Sequence, residues 1–116
     1  MSRYAIDLEC LGFDPTAVLL AVAAVNIDDP DDTFEFVFDP RTQPGRTIHP
    51  DTVMWWFTQP DATRAAVATP TVDGTLERGT LARGVRGLKA FLCNAAEVYQ
   101  WGTLDADLLN NALRSV

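Results

Sequence analysis

Two carboxylates near the amino terminus, Asp7 and Glu9, stand two positions apart in the segment Arg3-Tyr4-Ala5-Ile6-Asp7-Leu8-Glu9. The segment alternates as a β-strand does, with Tyr4, Ile6 and Leu8 on one side and Ala5, Asp7 and Glu9 on the other. Two acids on one face of a strand repel each other, and burying either charge alone is costly. A hard divalent cation with oxygen ligands would relieve both problems. The competing reading is a strand end that opens into solvent. Asp105 is a third acid, placed where a short strand gives way to a helix. Its position suits a cap for free backbone N–H groups at a helix start. If its strand runs parallel to and beside the first, Asp105 also reaches the carboxyl edge of the sheet, where ligand sites of α/β folds collect.

The elements that must position these residues are legible in outline. Arg3 to Glu9 reads as a first strand, followed by a turn at Gly12 to Thr16. Ala17 to Ile27 is a long apolar strand, expected to be covered on both faces. The acidic run Asp28 to Asp32 predicts a solvated turn. Thr33 to Phe38 alternates again, with Phe34, Phe36 and Phe38 on one face and Glu35 and Val37 on the other. Three successive strands with short turns predict an antiparallel meander. Pro50 suits a first helical position, so Asp51 to Thr58 reads as a helix, and Pro60 opens a second through Val67.

From about Leu76 to Cys93 the spacing of Leu81, Val85, Leu88 and Leu92 predicts a longer helix, with Arg78, Arg83, Arg86 and Lys89 on another sector. Gly79, Gly84 and Gly87 are poor helix formers, each costing about 1 kcal/mol relative to Ala, so the helix must lean on tertiary packing or use the glycines for close approach. Glu97 to Trp101 reads as a strand and Asp105 to Arg114 as a final helix. The order β-β-β-α-β-α defines an α/β fold in which the long helix is a crossover, setting the fourth strand parallel to the first.

The length, 116 residues, predicts one domain over 1–116. Nine basic against sixteen acidic residues give a net charge of −7 and a pI near 4.4, which argues against a non-specific nucleic-acid binder coated in positive charge. Nucleic acid would have to be engaged through a small site, such as carboxylates holding divalent cations. The longest apolar run, Ala17 to Val25, falls far short of the ~20 residues of a membrane span, and Asp7 and Glu9 interrupt any signal-peptide core. Cys10 and Cys93 form neither a disulfide framework nor a zinc spacing, so a reduced, cytoplasmic compartment is expected.

Ile6-Asp7-Leu8-Glu9 resembles the first motif of the DEDD 3′–5′ exonucleases, the DnaQ-like branch of the ribonuclease H-like fold. Trp101-Gly102-Thr103-Leu104-Asp105, with Leu109 four residues on, is similar to the second motif of that superfamily. Asp51-Thr52-Val53-Met54-Trp55-Trp56-Phe57-Thr58-Gln59 resembles a D-T-x-x-W-W-x-x-Q segment of phage- and actinobacterial-type members. The resemblance implies a ribonuclease H-like mixed sheet and two-metal phosphodiester hydrolysis. Asp7, Glu9 and Asp105 would ligate Mg²⁺ or Mn²⁺, and Glu9 would also help position the attacking water. One ion would generate hydroxide while the other stabilises the leaving 3′ oxygen, about 4 Å away.

The third motif of that superfamily, a His or Tyr base and a fourth carboxylate after a further strand, has no counterpart here. The resemblance therefore implies a C-terminally truncated domain, lacking the final strand and helix, with an incomplete site. The alternative is an inactive remnant that binds nucleic acid or protein, and a fragment with a bare sheet edge would self-associate. The implied substrate is single-stranded nucleic acid or a 3′ overhang, and these motifs do not select RNA or DNA. Trp55 and Trp56 are candidates for stacking on a terminal base, although neighbours on a helix diverge by about 100° and one of them suits the core. The arginine sector reads as a solvated face, Cys10 as a buried thiol, and His49 as a loop residue away from the place of the missing base.

Overall fold

The computed structural model describes residues 2–68, 77–100 and 102–114, with the side chains of residues 2, 77 and 102–105 excepted. Strands β1 (Ser2–Cys10), β2 (Leu19–Asn26) and β3 (Asp29–Phe38) form the expected antiparallel meander. Two further strands flank it: β4 (Glu77–Gly79) runs parallel to β3, and β5 (Ala95–Tyr99) runs parallel to β1. The order across the sheet is β4-β3-β2-β1-β5. A 3-10 turn (Pro40–Thr42) and helices α1 (Pro50–Phe57) and α2 (Asp61–Ala68) follow β3, α3 (Leu81–Phe91) precedes β5, and α4 (Gly102–Arg114) ends the fold.

The fold is thus α/β with a mixed sheet, and it differs from the sequence reading in several places, among them the start of α4, at Gly102 rather than Asp105. The acidic run is no turn beyond Asp28, because β3 begins at Asp29. A two-residue turn at Ile27 and Asp28 closes the hairpin. The end of β3 then projects past the core, where Asp29 and Asp31 stay exposed and their charges cost little. The helical pattern from Leu76 does not begin as a helix. Glu77 to Gly79 pairs with β3 as an additional edge strand, and Thr80 caps α3, its hydroxyl accepting the N–H of Arg83. β5 lies two residues earlier than expected, and Trp101 falls outside the described residues. Finally, β2 is covered on both faces only at its start, where Leu19 and Leu20 are buried, while further along Val22 and Ala24 are buried and Ala23 is exposed.

One-sided coverage follows from where the helices pack. Leu81, Val85 and Leu88 of α3 and Leu108, Leu109 and Ala112 of α4 join Ile6, Leu8, Val22, Ala24, Phe36 and Phe38 in a single apolar core. All of those strand residues share one face of the sheet by their alternation. Gly84 explains how closely α3 approaches: a Cβ there would lie 2.4 Å from Cε1 of Phe38 and 2.5 Å from Cδ1 of Phe36. Arg83, Arg86 and Lys89 lie on the exposed side of α3, away from the opposite face of the sheet. Gln43, 3% exposed, replaces a strand partner at the start of β2. Its Oε1 accepts the N–H of Leu19 at 2.8 Å, and its Nε2 donates to the Leu19 carbonyl at 2.8 Å.

Candidate active site

On the face that α3 and α4 leave open, strand register sets the acids in rows. Asp7 pairs with Ala23, which pairs with Glu35; Glu9 pairs with Ala21, which pairs with Val37. The alanines make a shallow floor between β1 and β3. Trp56 of α1, with Thr63, Ala66 and Val67 of α2, closes one side, leaving a cleft of about 250 Å³ that Asp7, Glu9 and Glu35 all line. The sheet register slips between Glu9 and Cys10. Such a bulge re-aims side chains and is common beside active sites.

The cleft is open. Asp7 is exposed and Glu9 half-buried, so the burial cost expected of two acids on an enclosed strand is absent, although β1 is flanked on both sides. The reason is the packing of α3 and α4 on the other face. Among the described residues the Asp7 carboxylate makes no hydrogen bond or ion pair, so its oxygens are available to a ligand.

β1 and β5 are parallel neighbours, paired from Ser2↔Ala95 to Ala5↔Tyr99. Both strands therefore point their carboxyl ends the same way. Helix α4 starts at Gly102, shortly after β5, and Asp105 lies in its first turn. The Asp105 side chain lies outside the described residues. Among the described residues no three His, Cys, Asp or Glu side chains gather closely enough to hold a metal ion. Glu35, which sequence reasoning placed on the face opposite the three phenylalanines but did not connect to Asp7, lines the same cleft. It stands two strands from Asp7, about 10 Å between backbones at the usual inter-strand spacing.

The two tryptophans divide as adjacent helical positions must. Trp56 is 8% exposed and Trp55 51%, and their rings meet edge to face at 5.1 Å. The Nε1 of Trp56 donates to the Cys10 carbonyl at 3.1 Å. Cys10 is half-buried, its Sγ donating to the Gly12 carbonyl at 3.2 Å. His49 caps α1, its Nδ1 accepting the Asp51 N–H at 3.3 Å, and its ring lies 4.4 Å from that of Phe13. Its backbone N–H donates to the Leu11 carbonyl at 2.7 Å, which brings this loop nearer the end of β1 than sequence distance suggests.

Fold and cleft together define an α/β protein with one packed sheet face and one open, acidic one. Residues 2–116 match the family model of the 3′-5′ exoribonuclease Rv2179c-like domain, and the chain belongs to that family. No curated protein matches the chain. The family description agrees with the 3′–5′ exonuclease resemblance of the motifs and adds RNA as the substrate class of the family. Among the described residues no helix is long and apolar enough to cross a membrane.

Proposed function

We propose that the chain is a metal-dependent 3′–5′ exoribonuclease of DEDD, DnaQ-like lineage, with a ribonuclease H-like fold, acting on single-stranded RNA or a 3′ overhang. The observation that carries this reading is the shared exposed face of Asp7 and Glu9 at the carboxyl half of β1, beside the parallel strand that leads into the helix bearing Asp105. Both residues fit Mg²⁺ or Mn²⁺ by donor chemistry: they are hard oxygen ligands in one cleft, and Asp7 has no competing partner among the described residues. Asp105 is the third ligand in this reading.

Held by Asp7 and Glu9, a divalent ion would supply a water of lowered pKa and positive charge against the phosphate. The chain's own residues do the rest. Asp7 and Glu9 would hold the cation that draws the reacting phosphate to β1, and the half-buried Glu9 would accept a hydrogen bond from the attacking water and orient it. Trp56, tied to the backbone that follows Glu9, keeps α1 as the cleft wall. Trp55 offers an exposed ring to a base, a contact worth about 1–3 kcal/mol. The negative surface is compatible with this chemistry, because the site needs local carboxylates rather than a basic coat.

A 5′-labelled single-stranded RNA incubated with Mn²⁺ tests the reading. The expected result is a ladder receding from the 3′ end, abolished by EDTA and by Asp7→Asn. Equal degradation by wild type and Asp7→Asn would refute it. RNA bound but never shortened would favour the inactive nucleic-acid-binding scaffold instead.

A further inference from the structure

Arg46, in the loop between the 3-10 turn and α1, joins three backbone segments through one guanidinium. Its Nε donates to the Ala17 carbonyl at 2.9 Å, its Nη2 to the Pro15 carbonyl at 3.2 Å, and its Nη1 to Oδ1 of Asn111 on α4 at 2.9 Å. The first two acceptors belong to the connection between β1 and β2. That connection is itself tied down. The Thr47 carbonyl accepts the N–H of Val18 at 2.8 Å, and the Thr47 N–H donates to the Thr16 carbonyl at 2.9 Å. Asp14 accepts the hydroxyls of Thr16 at 2.6 Å and Thr47 at 2.7 Å, and Ala17 is fully buried.

The remaining arm reaches α4. The apolar contacts of Leu108, Leu109 and Ala112 hold that helix on the sheet, but such contacts are non-directional. A guanidinium bond to Asn111 fixes the helix along its axis and in rotation. Burial pulls the pKa of Arg46 down, Asp14 opposing, so this partly desolvated cation is committed to its acceptors rather than to water. Asn111 lies six positions after Asp105, about 9 Å along the helix at 1.5 Å per residue. Through Arg46, Asn111 is joined to the connection that leaves the end of β1, the strand of Asp7 and Glu9.

We infer that Arg46 and Asn111 are positioning residues: their bond sets α4, and with it Asp105, against the end of β1 that carries Asp7 and Glu9. The inference rests on the metal reading given under Proposed function. Neither residue touches substrate or ion in this account.

The test is Mn²⁺ binding by the full chain, followed by electron paramagnetic resonance of free Mn²⁺, alongside melting in EDTA. Asn111→Ala is expected to weaken Mn²⁺ binding about tenfold, the scale of losing a supporting contact behind a ligand. Asn111→Asp should restore wild-type affinity, because its carboxylate accepts the same Nη1 bond. Arg46→Lys, which keeps the charge but loses the planar fork, should weaken binding as Asn111→Ala does and carries the comparison should that variant not fold. Wild-type affinity in Asn111→Ala or Arg46→Lys, with or without a lower melting temperature, would overturn the positioning role, as would failure of Asn111→Asp to restore binding. The metal reading itself is separated by Asp7→Asn. If that variant binds Mn²⁺ unchanged, or the wild type binds none, both claims fall together.

Discussion

The indole Nε1 of Trp56 donates to the carbonyl of Cys10 at 3.1 Å, fastening α1 to the backbone one residue past Glu9. A buried aromatic ring and a directed hydrogen bond thus meet at the wall of the acidic cleft. Trp56→Phe removes the bond while keeping most of the ring, and should cost about 1 kcal/mol. Trp56→Ala should cost about 3–5 kcal/mol. Trp55→Ala, at the exposed neighbour, should stay within about 0.5 kcal/mol. Urea unfolding followed by fluorescence distinguishes the three, and equal losses at both positions would contradict the division of roles.

Gly84 tests how tightly α3 is pressed on the sheet. An alanine would ordinarily favour a helix by about 1 kcal/mol, yet the added Cβ meets the rings of Phe38 and Phe36 at 2.4 and 2.5 Å. Overpacking of this kind should make Gly84→Ala destabilising by about 1–3 kcal/mol. At Gly87 the nearest ring atoms, those of the half-buried Phe34, are 3.0 Å away, so Gly87→Ala should cost less. Chemical denaturation of both variants checks the order.

The acid side of the stability curve should carry the mark of Asp39. Arg41 donates to it from its side chain and from its backbone N–H, holding the Asp39 carboxyl at about 2, below its ordinary 3.8. A carboxyl depressed on folding stabilises the native state above the unfolded value and loses that contribution as pH falls through the folded one. Wild type should therefore melt above Asp39→Asn at pH 7, with the gap closing between about pH 4 and pH 2. A gap that widened over that range would contradict the assignment.

The basic sector of α3 lies on the side of the sheet away from the cleft. Arg86→Ala should therefore leave the rate of RNA shortening within about twofold of wild type. A loss comparable to that of Asp7→Asn would mean that RNA crosses the α3 face.

Much of this arrangement was legible because side-chain period and topology act locally. Alternation put Asp7 and Glu9 on one face of β1, and the apolar stripe of Leu81, Val85 and Leu88 identified the crossover that makes β5 parallel to β1. The Pro50 helix start was likewise written in the proline's fixed geometry. What was hidden depended on distant partners. Glu77-Arg78-Gly79 has no strand pattern of its own and is ordered by the edge of β3. The openness of the acidic face depends on α3 and α4 choosing the same side of the sheet, which the periodicity of neither helix reveals. Glu35 was visible as an outward strand residue, but its place in the cleft comes from the register across β2. The bond between Arg46 and Asn111 had no signal in the sequence, since it joins a loop to a helix far along the chain.

The proposed activity requires Asp7, Glu9 and Asp105 to share one cation. Anomalous diffraction from a crystal soaked in Mn²⁺ tests this most directly. The predicted result is a peak within about 2–2.3 Å of carboxylate oxygens from Asp7 and Asp105, with Glu9 ligating it or a neighbouring peak. Manganese bound elsewhere, or Asp105 turned away from a peak on Asp7, would contradict it.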